Sequence, residues 1–292
     1  MTEQFLIADA PYIDTRQVGD ATLTVISEGG LLWEPRFPVP EPEWRQALPD
    51  ADDQGRIWLG LNVVFVRIGD ALLLIDPGMD DPDSAWQRVL PRVWPDWPVR
   101  RTPGLAAAMA ELGIDPQDVT HVIITHPHGD HYAGVAFESD GGIEVRFPNA
   151  RHLMGRADWE GNPDRGRPGS AFARLELIAD RGLLDLVDAD REIAPGVTML
   201  PAPGESPGHC IVRMASAGEV VYNLGDLVHH AAEIEHSTWG PPHADTATLI
   251  AARQRIFADV AAENALLITA HEHFPPWGRI VPDGAGYRWQ RD

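Results

Sequence analysis

The sequence predicts a layered α/β fold, and three observations lead to that prediction. Apolar stretches of strand length come in runs, and segments with helical periodicity separate the runs. The 292 residues suffice for one large domain with a well-filled core. No internal repeat, heptad pattern or low-complexity tract breaks this organisation. We therefore expect a single α/β domain over residues 1–292.

Strands dominate the predicted first part of the chain. The alternating stretch ATLTVIS at 21–27 predicts a strand, and the proline-punctuated stretch at 34–44 predicts a loop. Two apolar strands follow between 57 and 78, joined by the Gly69-Asp70 turn. The second of these strands ends at Asp76-Pro77-Gly78, which predicts a tight turn.

The middle of the chain combines an insertion, a helix and a buried strand. Residues 80–103 are rich in proline and tryptophan and predict an irregular insertion near the mouth of the site described below. GLAAAMAELGI at 104–114 predicts a short helix closed by Gly113. PQDVTHVIITH at 116–126 then predicts a buried strand that leads directly into a histidine-rich motif.

The second half of the chain alternates strands and helices. Two short strands are predicted within 142–155, three more within 196–226, and one beginning at 265. A polar, glycine-rich loop at 161–169 precedes a predicted helix near 170–181. The stretch 244–264 has the clearest amphipathic pattern of the chain and predicts a long helix.

Composition excludes several functions. The formal net charge is -21, and this charge repels nucleic acid and anionic lipid surfaces. All 23 basic residues are arginine, so no lysine is available for a Schiff base. The single cysteine, Cys210, excludes an internal disulfide.

With neither a signal-peptide pattern nor a membrane-span pattern, we expect a cytoplasmic protein that binds a small-molecule substrate, as a monomer or a homodimer.

A histidine-rich motif follows the buried strand at 116–126. His126, His128, Asp130 and His131 lie within six positions. A single histidine is more often an ordinary core or surface residue, but four such residues apart from a metal would need many independent partners. Imidazole and carboxylate groups are ligands of zinc, manganese and iron(II). The motif therefore predicts a metal site.

Further polar residues lie at other predicted strand ends. Asp226 and His271 follow apolar strands, and His209 lies in a Pro-Gly turn just before one. Ligands placed in this way can converge on one point at the edge of a sheet. Three nitrogen ligands that leave an open position on zinc bring the pKa of the bound water to about 7, so the predicted site would provide hydroxide at neutral pH.

The pattern His126-Pro127-His128-Gly129-Asp130-His131 after an apolar strand resembles the H-x-H-x-D-H signature of the metallo-β-lactamase superfamily. The later motifs around His209, Asp226 and His271 follow in the expected order, so the resemblance covers roughly residues 20–285. The resemblance implies an αββα sandwich with two divalent metal ions, of which zinc is the first expectation and manganese, iron and cobalt are alternatives. The implied ligands are His126, His128 and His209 for the first metal, Asp130, His131 and His271 for the second, and Asp226 as the bridge.

The resemblance also assigns supporting roles. Asp76 matches an aspartate of this family that does not bind the metal itself but orients a residue that does. Asp76 could instead cap the turn that begins at this residue. Asp130 is also a candidate proton carrier. The related lactonases carry G-H-T-x-G-H where this chain has GESPGH, so Glu205 replaces the first histidine. They carry a tyrosine where this chain has His229. The imidazole of His229 could still donate a hydrogen bond to the substrate.

Several large aromatic residues are candidates for a substrate pocket. They either form an aromatic wall over the metals or simply pack beneath a loop. These candidates are Trp86, Trp94 and Trp97 in the insertion, together with Trp159 and Phe274. His273 is an alternative to His271 as the last metal ligand.

The predicted function is that of a metal-dependent hydrolase acting on a small apolar lactone or carboxylic ester, with phosphotriesters as a side activity. Within the superfamily the motifs look most like the branch that holds methyl parathion hydrolase and lactonases. The alternatives are a glyoxalase II-like thioesterase, an iron-dependent oxidoreductase of the persulfide dioxygenase type, and a metal-binding protein without catalytic activity.

Overall fold

Two large β-sheets occupy the centre of the molecule. The computed structural model describes residues 5–6, 10–84, 87–88 and 98–292. The strands are β1 (Phe5–Leu6), β2 (Ile13–Val18), β3 (Ala21–Trp33), β4 (Ile57–Ile68), β5 (Ala71–Ile75), β6 (Val99–Arg101), β7 (His121–Ile123), β8 (Ala136–Ser139), β9 (Gly142–Val145), β10 (Arg151–Gly155), β11 (Leu184–Val187), β12 (Arg191–Ala194), β13 (Val197–Pro201), β14 (Cys210–Ser216), β15 (Glu219–Asn223), β16 (Leu266–Ile268), β17 (Trp277–Asp283) and β18 (Gly286–Arg291).

The first sheet has the order β1-β6-β3-β4-β5-β7-β10-β11, and β2 also pairs with β3. The long strand β3 takes both partners on one edge because β2 pairs with residues 21–26 and β6 with residues 29–31. A register shift between Ser27 and Gly29 in its pairing with β4 lies between these two stretches. The strands β5, β7, β10 and β11 are parallel neighbours.

The second sheet has the order β12-β13-β14-β15-β16-β17-β18. Its neighbours are antiparallel except for β15 and β16, which are parallel. Strands β8 and β9 form a separate hairpin. The parallel pair has a functional consequence, because the chain leaves β15 and β16 at the same end of the sheet.

Helices cover the outer faces of both sheets. They are α1 (Glu41–Ala47), α2 (Gly104–Leu112), α3 (Gly129–Tyr132), α4 (Arg156–Gly161), α5 (Ala173–Asp180), α6 (Ala232–Glu235) and α7 (Thr246–Ala262). Apolar residues of α2 and α5 pack on the first sheet, and those of α7 pack on the second. A third apolar cluster joins Val64 and Leu73 of the first sheet to Met199 and Val212 of the second. The predicted αββα sandwich is therefore confirmed.

Two local differences from the sequence predictions have a physical cause. Part of the expected loop at 34–44 begins helix α1, whose second residue is Pro42, a position where the missing N–H costs nothing. The chain after His271 adds the antiparallel pair β17 and β18, which the sequence pattern did not suggest. Among the helices of the described residues, none combines the length and apolar character that a membrane crossing requires.

Buried ion pairs hold the described ends of the predicted insertion 80–103. The carboxylate of Asp80 pairs with Arg174 and is fully buried. At the other end, residues 99–101 form β6, and Arg101 lies 3.5 Å from the carboxylate of Glu28. Both ends are therefore anchored in the fold. The pocket candidates Trp86, Trp94 and Trp97 lie outside the described residues.

Candidate metal centre

The predicted ligands come together at one end of the sandwich. His126 lies three residues beyond β7 in the first sheet. Asp226 lies in a 3-10 turn at Gly225–Leu227 after β15, and His271 lies three residues beyond β16. Because β15 and β16 are parallel, Asp226 and His271 emerge at the same end of the second sheet. The two sheets thus contribute ligands to one centre.

A first group of ligand atoms surrounds His126. Its Nε2 atom lies 2.9 Å from Nδ1 of His128 and 3.4 Å from Oδ2 of Asp226. Glu205 completes this group, with Oε2 3.7 Å from Nε2 of His126 and Oε1 3.3 Å from Nδ1 of His128. One ligand atom from each of these four residues lies within 4.8 Å of all the others. The spacing suits a single bound cation.

A second group consists of Asp130, His131 and His271, whose ligand atoms also lie within 4.8 Å of one another. Oδ2 of Asp130 is 3.7 Å from Nε2 of both histidines. The backbone carbonyl of Gly60 accepts a hydrogen bond of 2.8 Å from Nδ1 of His271, which turns Nε2 toward the centre. His273 is exposed, and its Nε2 lies 2.8 Å from the carbonyl of Trp58 instead.

Asp226 lies between the two groups. Its Oδ2 atom faces His126 at 3.4 Å. Its Oδ1 atom faces Nε2 of His131 at 3.2 Å and Nε2 of His271 at 3.1 Å. Oδ2 also lies 3.3 Å from Nε2 of His271. The carboxylate therefore contacts both groups, as a bridging ligand does.

His209 is placed differently from the expectation. Its Nδ1 donates to the carbonyl of Ala202 at 2.9 Å, and its Nε2 accepts a hydrogen bond of 3.0 Å from the backbone N–H of Asp226. Gly225, at φ +49°, packs against this ring so closely that a Cβ there would lie 2.8 Å from Nε2. Both ring nitrogens are thus used by the backbone. His209 supports the turn that carries Asp226, and its ring lies 5.4 Å from that of His126. Glu205, rather than His209, belongs to the first group of ligand atoms.

Asp76 lies directly behind the second group. Its Oδ2 atom is 2.9 Å from Nδ1 of His131 and accepts a 2.8 Å hydrogen bond from the hydroxyl of Thr125. Its Oδ1 atom accepts the backbone N–H of Thr125 at 2.8 Å. These contacts fix the ring of His131 with Nε2 toward Asp226. Asp76 therefore both ends its strand and orients a ligand.

Several buried atoms of the centre lack a hydrogen bond. Within the described part of the chain, Nε2 of His131, Oδ1 of Asp226 and Oε2 of Glu205 have no hydrogen-bond partner. Buried polar atoms rarely stay unsatisfied, because each costs about 1–3 kcal/mol. All three point into the space between the ligand groups, where a cation would satisfy them. The donor set therefore fits divalent metal ions.

The electrostatics of the centre also favour cations. Burial raises the pKa of Asp226, but neighbouring imidazoles, first that of His131, outweigh it and hold the pKa well below its usual range. Burial likewise opposes ionisation of Glu205, but His128 and the hydrogen bond from His243 help to hold its pKa below its usual range. Burial lowers the pKa of His126 well below its usual value, so this imidazole is neutral. Burial also lowers the pKa of His131 and His271, but Asp226 outweighs it and raises both, so these two imidazoles must release a proton to bind metal.

His229 lies beside the bridging aspartate. Its ring stacks between those of Trp33 and His271, with centroid distances of 5.8 and 5.7 Å. Nε2 lies 3.2 Å from Oδ2 of Asp226, and Nδ1 lies 3.6 Å from Oε1 of Glu233. Burial lowers the pKa of His229, but these two carboxylates outweigh it and raise the pKa well above its usual value. His229 therefore presents N–H groups at the edge of the centre.

A cavity of about 650 Å³ opens over both ligand groups. Its apolar wall includes Leu31, Trp33, Leu59, Pro127 and Tyr132. Two of the expected pocket residues lie elsewhere. Trp159 is 9% exposed and stacks on Phe172 in the core beneath the first sheet, and Phe274 packs against the core between the sheets. The tryptophan that lines the cavity among the described residues is Trp33, at the end of β3.

Sequence reasoning did not single out three residues of this region as part of the site. Glu205 was visible only as a departure from a motif, and its acidic character was the available signal. His243, in the loop before α7, lies 2.8 Å from Oε1 of Glu205 and lines the cavity. Trp33 sits at the end of a strand, next to the proline-rich stretch, and no motif marks either His243 or Trp33.

Two relatives among characterised proteins illustrate the similarity of the sequence. The N-acyl homoserine lactonase AttM of Azorhizobium caulinodans is 29% identical over 159 residues, which cover 49% of this chain and 54% of that protein. The probable metallo-hydrolase Rv2300c of Mycobacterium tuberculosis is 24% identical over 199 residues, covering 60% of this chain and 58% of that protein. The chain thus spans little more than half the length of these relatives.

Solved structures share the fold. The dizinc quorum-quenching lactonase AidC, solved with the product N-hexanoyl-L-homoserine, matches with a TM-score of 0.78, 21% identity and coverage of 96% of this chain and 97% of AidC. The hydrolase AbOPH matches with a TM-score of 0.78, 20% identity and coverage of 97% and 98%.

The family model of the metallo-beta-lactamase superfamily matches residues 56–271. This range begins just before β4, ends at His271 and includes both ligand groups. The match and the geometry therefore agree that the chain belongs to the metallo-beta-lactamase superfamily.

Proposed function

We propose that this protein is a metal-dependent hydrolase that opens a small apolar lactone or cleaves a small carboxylic ester. One observation carries the proposal. The carboxylate of Asp226 lies between two imidazole-containing groups, and Asp226, His128, Asp130 and His271 line a cavity with an apolar wall. This combination suits two cations that share a bridging ligand below a bound hydrophobic substrate.

The proposed cation positions follow the two ligand groups. His126 and His128 hold the first cation, Asp130, His131 and His271 hold the second, and Asp226 bridges them. Divalent ions bound there supply Lewis-acid polarisation of the substrate carbonyl and activation of water at neutral pH. Zinc is our first choice because imidazole ligands predominate, with manganese, iron and cobalt as alternatives.

The protein residues have distinct tasks in this proposal. Asp130 has a side chain that is 12% exposed at the floor of the cavity, so it can take a proton during attack and return it to the departing alcohol oxygen. His229 presents N–H groups beside Asp226, where one can stabilise the carbonyl oxygen as it gains charge. Asp76 keeps His131 oriented throughout.

The walls of the cavity support the substrate class. Leu31, Trp33 and Leu59 offer apolar surface to an acyl chain. Among the described residues, two arginines line the cavity, Arg36 and Arg167. They already pair with Glu34 and Asp164 at 3.0 and 2.9 Å, so neither is a dedicated site for a substrate anion. The similarity to N-acyl homoserine lactonases points in the same direction. Phosphotriesters form the proposed side activity, because they present a similar electrophilic centre to the same ions.

The test compares three substrates on one protein preparation whose metal content has been measured. We expect kcat/KM to be highest for hexanoyl homoserine lactone or an aryl ester and lower for an aryl phosphotriester, with two metals per chain. The double variant His126→Ala with Asp226→Ala should lose turnover while the protein stays folded by circular dichroism. Full activity in that variant, or a single iron with no hydrolysis of any substrate, would contradict the proposal.

A second comparison tests the apolar wall. Trp33 and Trp44 belong to the same apolar cluster and are 8% and 7% exposed, but only Trp33 lines the cavity. We expect Trp33→Leu to raise KM for a hexanoyl substrate about 10-fold, since it removes apolar contact with the acyl chain, whereas Trp44→Leu leaves KM unchanged. Equal effects of the two variants would show that Trp33 contributes only to packing.

A further inference from the structure

We infer that Glu205 is the carboxylate ligand of the first cation and that His243 positions it, so that this site combines two imidazoles with two carboxylates. The inference rests on the metal centre of the proposed function. It assigns a role to Glu205, one of the two positions where this chain departs from the motifs that its sequence resembles. It also assigns a role to His243, which is distant in sequence from Glu205.

The carboxylate of Glu205 is aimed into the first ligand group. Its side chain is fully buried, with Oε1 3.3 Å from Nδ1 of His128 and Oε2 3.7 Å from Nε2 of His126. Oε2 has no hydrogen-bond partner within the described residues. A buried, unsatisfied carboxylate oxygen beside two imidazoles is suited to bind a cation.

The loop that carries Glu205 is held from the opposite side. Asp158 accepts a 2.7 Å hydrogen bond from the hydroxyl of Ser206 and another of 2.7 Å from the backbone N–H of Gly208. These bonds fix the turn between β13 and β14. Glu205 therefore faces the centre, while His209, at the end of the same turn, faces the backbone of Ala202 and Asp226.

His243 divides the two oxygens of Glu205 between different partners. Its Nε2 lies 2.8 Å from Oε1, and its half-exposed ring lies 5.4 Å from the ring of His128 in an edge-to-face arrangement. With His243 donating to Oε1, Oε2 remains available for the cation. A residue that hydrogen-bonds a metal ligand fixes the orientation of that ligand. Loss of such a residue typically weakens metal binding about 10–100-fold.

A carboxylate in place of an imidazole changes the metal preference of the site. Carboxylate oxygens are hard donors that suit manganese, whereas imidazole favours zinc. The first site should therefore accept manganese more readily than a site with three imidazoles would. With Asp226 counted in both, the two sites hold the same donor set of two imidazoles and two carboxylates, so their metal preferences should be similar.

The first experiment counts metal ions without using turnover. Metal-free protein is loaded with zinc, dialysed and analysed for metal content, and cobalt(II) absorption spectra report the ligand environment. We expect the wild-type protein to hold two ions and Glu205→Gln to hold about one, while His209→Gln keeps two. Loss of an ion in His209→Gln together with retention of both in Glu205→Gln would overturn the inference.

A second variant keeps the test decisive if Glu205→Gln does not fold. Glu205→His supplies an imidazole at the same position and should hold two ions. In Glu205→His, the affinity for zinc divided by the affinity for manganese is measured at whichever of the two sites binds more weakly. This ratio should exceed the wild-type ratio by at least about 10-fold. An unchanged ratio and an unchanged cobalt spectrum would show that residue 205 does not bind the metal.

The role of His243 is tested by a series of three variants. His243→Ala should weaken one metal site about 10-fold and leave the other unchanged. His243→Gln should restore most of the affinity, because its amide can donate to Oε1. His273→Ala removes an exposed histidine outside both ligand groups and serves as the matched control. Equal metal affinities in wild type and His243→Ala would show that His243 does not position Glu205.

These measurements separate the inference from the proposed function. If metal counts follow the expected pattern but no ester or lactone is hydrolysed, Glu205 is a ligand and the hydrolase proposal fails. If hydrolysis proceeds with two metals and Glu205→Gln retains both, the hydrolase proposal stands and the inference fails.

Discussion

The metal centre and the ion pairs at the ends of the predicted insertion are both clusters of buried charge, and they are built in opposite ways. At the ends of the predicted insertion, Glu28 lies beside Arg101 and Asp80 pairs with Arg174, all four nearly inaccessible to solvent. The carboxylate of Glu28 also accepts backbone N–H groups from Met79 and Leu105. In this cluster guanidinium groups face the carboxylates. In the metal centre, imidazoles face carboxylates and several atoms remain unsatisfied.

The difference between the two clusters separates stability from function. Burying charge is costly unless partners compensate it, and the ion-pair cluster supplies arginine and backbone partners of its own. The metal centre lacks full compensation among the described residues, because Oδ1 of Asp226 and Nε2 of His131 have no hydrogen-bond partner. An incompletely satisfied buried cluster beside a cavity therefore marks a site that awaits a ligand, whereas a satisfied one marks a structural support.

The largest expected effect comes from removing the metals. A chelator should lower turnover at least about 1000-fold, since the proposed chemistry depends on the ions. It should also lower the melting temperature, because each ion present at 100 times its dissociation constant contributes about 2.7 kcal/mol. Both effects should reverse when zinc is added back. Full activity after verified metal removal would show that turnover does not depend on metal, and the metal centre would then not differ in function from the ion-pair cluster.

Breaking the ion-pair cluster should produce the opposite pattern. Arg174→Met removes the nearest arginine partner of the buried Asp80 carboxylate and leaves Arg146 3.8 Å away, so the free energy of unfolding should fall by about 3 kcal/mol. Metal content and kcat should remain near wild type at temperatures where the variant is folded. Urea denaturation and metal analysis measure the two quantities, with the exposed-pair variant Arg156→Met as control. Loss of metal in a folded Arg174→Met protein would show that the clusters are coupled.

The ion-pair cluster should also respond to pH. Burial raises the pKa of Glu28 to about 7 from 4.5, and Arg101 only partly opposes this rise. Between these two values the folded protein binds a proton that the unfolded chain releases. The contribution of Glu28 to stability is therefore complete below pH 4.5 and decreases up to pH 7 by as much as about 1.4 kcal/mol per pH unit.

Glu28→Gln removes this titration and provides the measurement. The difference in unfolding free energy between wild type and variant should shift in favour of the variant from pH 5 to 7 and stay constant above about pH 7.5. A difference that does not vary with pH would mean that Glu28 is ionised in the folded protein throughout this range.

The smallest expected effect concerns a satisfied contact within the metal centre. Thr125→Val removes the 2.8 Å hydrogen bond to Oδ2 of Asp76 and the 3.1 Å contact with Nδ1 of His126 but keeps the shape of the side chain. Because Asp76 orients His131 and the hydroxyl also contacts His126, affinity should fall at both metal sites, by about 10-fold at the second, and overall stability should change by about 1 kcal/mol. Thr24→Val, at a contact between β2 and β3, is the matched control. Unchanged metal affinity would limit Asp76 to its role in the turn.

Much of the architecture was predictable from local pattern. The runs of apolar strands and the long amphipathic helix predicted the α/β layers, and the His126–His131 motif with Asp226 and His271 predicted the superfamily, which is confirmed. These features could be recognised because they are encoded in contiguous sequence or in motif order. The methyl parathion hydrolase branch remains a prediction, as do the pocket roles of Trp86, Trp94 and Trp97.

The remaining site residues depend on tertiary geometry that sequence spacing does not contain. His209 and Glu205 lie in one turn, and which of them faces the centre depends on the hydrogen bonds that Ser206 and Gly208 donate to Asp158, which hold the turn in place. His243 reaches Glu205 from a different loop. Trp159 was expected in the pocket but fills the core, because its helix α4 turns that ring toward Phe172.

The placement of ligands on both sheets has a mechanical consequence. His126 extends from the first sheet, and Asp226 and His271 extend from the second. Ions held between them would act as cross-links across the sandwich, joining segments about 100 residues apart in a chain whose single cysteine cannot form an internal disulfide. Separation of the two sheets and release of the ions would then be one event, so the rate of metal loss would report how often the two halves of the molecule part.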